Sequence, residues 1–95
     1  MSSFLESLNS METVLQEVRA ERKRQDALWG IQNHSMLTWL PILMEEAGEV
    51  AQAMNEWIHT PDGSLEEVSK ELVEVAAVAV AWVERINRYA GDPKP

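Results

Sequence analysis

Apolar residues recur along the chain at intervals of three and four, and no stretch alternates apolar with polar as a half-buried strand would. The first series, Met11, Val14, Leu15 and Val18, predicts a helix from about Met11 to Leu28 with Ser10 as its N-cap. Trp29-Gly30 ends it, the glycine being suited to the left-handed conformation after a helix. Ile31 to Leu37 reads as a polar connection. Thr38 can cap a second helix that runs to about Ile58, with Pro41 tolerated in its first turn. The segment His59-Thr60-Pro61-Asp62-Gly63 breaks the chain.

The third helix opens on Ser64-Leu65-Glu66-Glu67, a capping box in which Ser64 and Glu67 each satisfy an orphan backbone N–H. Leu65, Val68, Leu72, Val75, Ala79, Trp82, Ile86 and Tyr89 then keep 3-4 spacing, and Ala76, Ala77, Val78, Val80 and Ala81 fill the other faces. A helix apolar nearly all round must be covered on several sides. Two other helices can hardly do that alone. The expected fold is therefore all-α, an antiparallel helical bundle completed by oligomerisation as a dimer or tetramer.

Ninety-five residues allow one domain, 1–95, with 1–9 and 91–95 expected to be flexible ends. The chain carries sixteen acidic against eight basic residues, a net charge of −8, which argues against a nucleic-acid polymer as partner. There is no cysteine, so thiolate metal sites and cysteine nucleophiles are excluded. The start has neither the basic nor the apolar region of a signal peptide, and the longest apolar run, Val75 to Val83, cannot span a bilayer. A cytoplasmic protein with no membrane partner is the expectation. A chain this acidic could handle phosphates only with a cation to reverse the local sign.

An internal echo supplies the means. The second helix carries Glu46-Ala47-Gly48-Glu49-Val50-Ala51 and the third carries Glu71-Leu72-Val73-Glu74-Val75-Ala76, both Glu-x-x-Glu-Val-Ala. At about 100° per residue, the two glutamates of each motif lie within roughly 60° of each other. They flank the apolar stripes Leu43, Ala47, Val50, Met54 and Val68, Leu72, Val75, Ala79. If those stripes pack antiparallel, four carboxylates converge at the edge of the core. Repulsion and desolvation there are relieved either by protonation or by a divalent cation. Oxygen ligands select Mg²⁺ or Mn²⁺ before Ca²⁺, and the absence of a Glu-x-x-His motif argues against a di-iron site.

Ala20-Glu21-Arg22-Lys23-Arg24-Gln25, Trp29-Gly30, His34, Trp39 and Glu45-Glu46-Ala47-Gly48-Glu49-Val50 together resemble the MazG-like all-α nucleoside triphosphate pyrophosphohydrolases. That family's pattern is Glu-Glu-x-x-Glu, a spacer, then Glu-x-x-Asp. The spacer fits, and Glu74 stands where the family usually has Asp. The likeness spans roughly Val18 to Arg85. It implies Mg²⁺-dependent cleavage of nucleoside triphosphates, deoxynucleotides foremost, to monophosphate and pyrophosphate, a house-cleaning role in the nucleotide pool, and a homo-oligomer. Glu46, Glu49, Glu71 and Glu74 become the metal ligands, with Mn²⁺ as a substitute ion. Glu45 matches the family's first glutamate and would serve as base; an ordinary surface glutamate is the alternative.

For substrate contacts the candidates are Arg22 and Arg24 in the first helix, with Lys70, Arg85 and Arg88 as further cations. Trp39 and Trp57 could stack on a base or pack in the core, and Trp82 falls on the core heptad. In the family a histidine at the place of His34 lies near the base; Asn33 is a weaker candidate. Two other functions fit the same residues: a carboxylate bundle that binds metal without hydrolysis, and a non-catalytic helical interaction module. The lack of a Gly-rich phosphate loop excludes P-loop ATPase chemistry.

Overall fold

A computed structural model describes residues 2–89 and Gly91. It is all-α, three helices in chain order: α1 (Ser2–Trp29), α2 (Met36–His59) and α3 (Leu65–Asn87). α3 is the centre, packing on α2 along one side and on α1 along another, while α1 and α2 do not pack on each other.

α1 begins nine residues before the expected Met11, and Ser10 lies inside it rather than capping it. Nothing between Ser2 and Trp29 is a glycine or proline, so the backbone has no reason to break at Ser10. Every described side chain before Val18 is exposed, so the first half of α1 projects beyond the packed helices. The other end agrees with the sequence: Gly30 takes φ +71° and its N–H donates to the Asp26 carbonyl at 2.8 Å.

α2 also starts early. Ser35, not Thr38, is the N-cap residue, and its hydroxyl pairs with the Thr38 hydroxyl at 2.8 Å rather than with a backbone N–H. Pro41 consequently lies in the second turn, where its missing N–H leaves the Leu37 carbonyl without a helical donor. Leu37 is exposed, so water can take that role. At the far end the Thr60 N–H and hydroxyl both donate to the Glu56 carbonyl at 2.8 Å. Gly63 then folds back so tightly that a Cβ there would collide with the Glu56 carbonyl and the Trp57 nitrogen. Ser64 caps α3 as expected, accepting from the Glu67 N–H at 3.1 Å.

The core centres on Trp39, Val78 and Ala81, with Met36, Ile42, Leu43 and Trp82 against them. Trp39 and Trp82 stack with ring centroids 6.3 Å apart and planes 8° from parallel. The phase of packing differs from the expected stripes. Val68 is buried, but Leu65, Leu72, Ala79 and Ile86 of the predicted core heptad face outward. On α2 the inward line runs Trp39, Glu46, Ala53, and Ala47 is exposed. Because apolar residues occupy several faces of α3, and all of them between Val75 and Val83, hydrophobic period alone could not choose which side meets α2.

The described residues reach a radius of gyration of 16.1 Å, against about 12 Å for a compact chain of this length. The described helices include none long and apolar enough to cross a membrane.

Candidate metal centre

The antiparallel pairing of α2 and α3 brings Glu46, Glu49, Glu71 and Glu74 together, one carboxylate oxygen of each lying within 4.8 Å of the others. They do not flank the packed face as the stripes implied; they lie in it. Glu46 is seven residues from both Trp39 and Ala53, and Glu74 is seven before Ala81, so each shares a helix line with buried residues. All four are half-buried.

That placement has an electrostatic consequence. Burial, reinforced by the charges of Glu49, Glu74 and Glu45, pushes the Glu46 carboxyl up to about 7. Burial likewise raises Glu71 to about 7, helped by its hydrogen bond to Glu74 and the charges of Glu74 and Glu49. Glu46 Oε2 and Glu71 Oε2 are each buried with no hydrogen-bond partner. A buried acceptor without a donor costs roughly 1–3 kcal/mol, and a hard cation or a proton would satisfy it. The donor set is all oxygen, so the residues fit Mg²⁺ or Mn²⁺.

Two grooves open beside the cluster. One, of about 720 Å³ between α1 and α3, is lined by Glu21, Arg24, Lys70 and Glu74 among others. Arg24 bonds to Glu21 at 2.6 Å, and the fields of Glu74 and Glu46 add to that of Glu21 in stabilising its charge. Glu21 is held below the usual carboxylate range chiefly by its hydrogen bond to Arg24. The other groove, about 380 Å³, continues from Glu49 and Glu71 to Glu56 and Glu67, so the acidic character extends toward the α2–α3 turn.

The remaining candidates divide. Glu45 is exposed next to Glu46. Arg24 stands beside the cluster, whereas the Arg22 guanidinium is enclosed, bonding Asp26 at 3.0 Å and Glu84 at 2.9 Å, and ties α1 to α3. Trp39 has no exposed surface, its ring stacked with Trp82 and met edge-on by His34. Trp57 remains 43% exposed. His34 meets the Trp39 ring edge-on at 5.0 Å and lines a cavity of about 400 Å³ with Trp29, Asn33 and Ile42. Arg85 of α3 and Arg88, its C-cap residue, brace that loop, donating to the His34 carbonyl at 3.1 Å and to Asn33 Oδ1 at 3.1 Å respectively.

Two residues near the site, Gln25 and Glu21, stood in the quoted motif but were given no role of their own. Gln25 is 4% exposed, donates to Glu21 Oε2 at 3.2 Å and leaves its own Oε1 buried without a donor. Besides the motif, its signal was a position seven residues after Val18. Glu21 links Gln25 to Arg24.

Compared with known proteins, the chain matches no family model, no curated protein and no solved structure.

Proposed function

We propose that the protein hydrolyses nucleoside triphosphates to monophosphate and pyrophosphate with Mg²⁺ held by Glu46, Glu49, Glu71 and Glu74. The observation that carries this reading is the convergence of four carboxylates with two buried, unpartnered oxygens, Glu46 Oε2 and Glu71 Oε2. The motif resemblance to MazG-like pyrophosphohydrolases supplies the reaction class. When bound, the ion offsets phosphate charge and polarises water. Glu45 is exposed beside the cluster, where it can take a proton from that water. Glu74, although longer than Asp, brings an oxygen to the other three. Arg24, at the rim of the larger groove, can meet a phosphate by exchanging its bond with Glu21.

The cavity beside His34 suits the nucleoside. Ile42, on its wall, lies four residues before Glu46, about 6 Å along α2. A ribose separates base from phosphate by a similar span. The third helix still requires cover, and a second copy of the chain completes the bundle in this reading.

Product analysis tests it. The purified protein is incubated with dNTPs and NTPs with and without Mg²⁺, and mono- and diphosphate, pyrophosphate and phosphate are resolved. Mg²⁺-dependent monophosphate plus pyrophosphate, lost in Glu46→Ala and Glu71→Ala, is expected. Diphosphate plus phosphate would show that the wrong bond was assigned. A folded protein that binds Mn²⁺ but turns nothing over would replace hydrolysis with metal binding alone.

A further inference from the structure

Among the described side chains of α1, only Val18 and Gln25 are buried. They lie seven residues apart on one line of the helix, and α1 packs on α3 and not on α2, so that line is its packed face. Val18 fills its place with apolar atoms. Gln25, 4% exposed, brings an amide into the same seam. Its Nε2 donates to Glu21 Oε2 at 3.2 Å, and its Oε1 is buried with no donor. An ionised carboxylate only accepts, so Glu21 fixes which end of the amide faces it and strands the oxygen at the other. For packing alone an apolar side chain of similar size would serve better, because a stranded buried acceptor opposes folding. What the amide adds, an apolar side chain could not: a hold on Glu21.

Glu21 faces the groove between α1 and α3, and the charge of Lys70 on α3 acts on it. Its side chain is 13% exposed, whereas that of Arg24, to which it is bonded, is 52% exposed. The contact is a fork: Arg24 Nε donates to Oε1 at 2.8 Å and Nη2 to Oε2 at 2.6 Å. From inside outward the order is a buried amide, a covered carboxylate and an open guanidinium. An ion pair on an open helix face is weak, since two long side chains must be ordered to make it. Here one of the two is held already, by Gln25. The guanidinium therefore has a set place on the rim of the groove, where the charges of Glu74 and Glu46 reach it.

We propose that Gln25 is a positioning residue for Arg24: from the α1–α3 seam it fixes the Glu21 carboxylate, and through it the guanidinium that meets a phosphate beside the carboxylate cluster. The phosphate rests on the function proposed above; the positioning does not. Gln25 acts again when Arg24 turns from Glu21 to the phosphate. The carboxylate then loses both bonds of the fork, and the amide remains to it as a donor, so a covered charge is not left bare. Arg24 can leave and return while Glu21 stays in place.

Two measurements on Gln25→Leu, Arg24→Ala and the double variant test this. The first needs no ligand: hydrogen exchange of the Arg24 Nε–H, followed by nitrogen-15 NMR. With Glu21 unanchored, that proton should exchange about threefold faster in Gln25→Leu than in wild type, while the unfolding temperature stays equal or rises because the stranded oxygen is gone. The second is titration of pyrophosphate onto the Mn²⁺-loaded protein. Gln25→Leu should weaken pyrophosphate binding about tenfold with Mn²⁺ affinity unchanged, and should weaken it no further in the Arg24→Ala background. An exchange rate that ignores Gln25→Leu, or a loss of pyrophosphate affinity just as large without Arg24, would overturn the proposal and leave Gln25 a structural residue. If the protein holds no Mn²⁺, the proposed function falls and the exchange rate alone decides. If pyrophosphate binds in this Gln25- and Arg24-dependent way but no nucleoside triphosphate is cleaved, hydrolysis is overturned and the positioning role stands.

Discussion

Removing one charge from the carboxylate cluster should stabilise the metal-free protein, and should do so only above a defined pH. Glu46→Gln keeps the side-chain shape and deletes the titration. Its carboxyl stands near 7 in the folded protein against 4.5 for an ordinary glutamate. The folded state therefore holds this proton more tightly than the unfolded state does. The stabilisation from that proton is complete below pH 4.5, declines as pH rises, and is gone above 7. A shift of about 2.5 pH units corresponds to about 3.4 kcal/mol. Because Glu46 is half-buried and water screens part of the cost, about 2 kcal/mol is the fairer expectation. For a chain of this size that is a rise in Tm of roughly 10 °C. Thermal unfolding with EDTA at pH 8 and pH 4.5 measures it. The variant should melt higher at pH 8, and the gain should shrink toward zero at pH 4.5. With Mn²⁺ at millimolar concentration the order should reverse, because the wild type has one more ligand. A Glu46→Gln variant that is less stable than wild type at pH 8 without metal would refute the claim that the cluster is strained by its own charge.

Other substitutions test the scaffold that holds the cluster. Ser64→Ala should cost about 1 kcal/mol in denaturant unfolding, through loss of the cap on the Glu67 N–H. Gly63→Ala should cost about 2–3 kcal/mol, since the turn must move off the Glu56 carbonyl. Trp39→Ala should cost about 3–5 kcal/mol and Trp39→Phe much less. If Trp39→Ala instead left stability unchanged and altered only substrate selectivity, the core assignment would fail.

The sequence foretold those features whose physics is local. Each Glu-x-x-Glu motif keeps its two glutamates on one helix face, and Ser64 and Gly30 each satisfy a need within one turn of the chain. It misled where the answer lay in packing between helices. The α3 heptad is real, but Leu65, Leu72, Ala79 and Ile86 face open surface rather than α2, because apolar residues on several faces of α3 leave its phase to be chosen by packing. Ser10 looked like a helix start only because the apolar series begins there, although helix formation needs no apolar face. Arg22 and Arg24 were indistinguishable as neighbours in a basic run. Two residues of rotation put Arg22 into an ion-pair network and Arg24 beside the cluster.

The central claim is that the four glutamates hold a divalent cation, and titration calorimetry of Mn²⁺ in two buffers of different ionisation enthalpy tests it most directly. At pH 7, where Glu46 and Glu71 are each near half-protonation, binding should release about one proton, falling to none at pH 9. Glu46→Gln should weaken binding strongly. Absence of binding, or binding that releases no proton and ignores Glu46→Gln, would contradict the account.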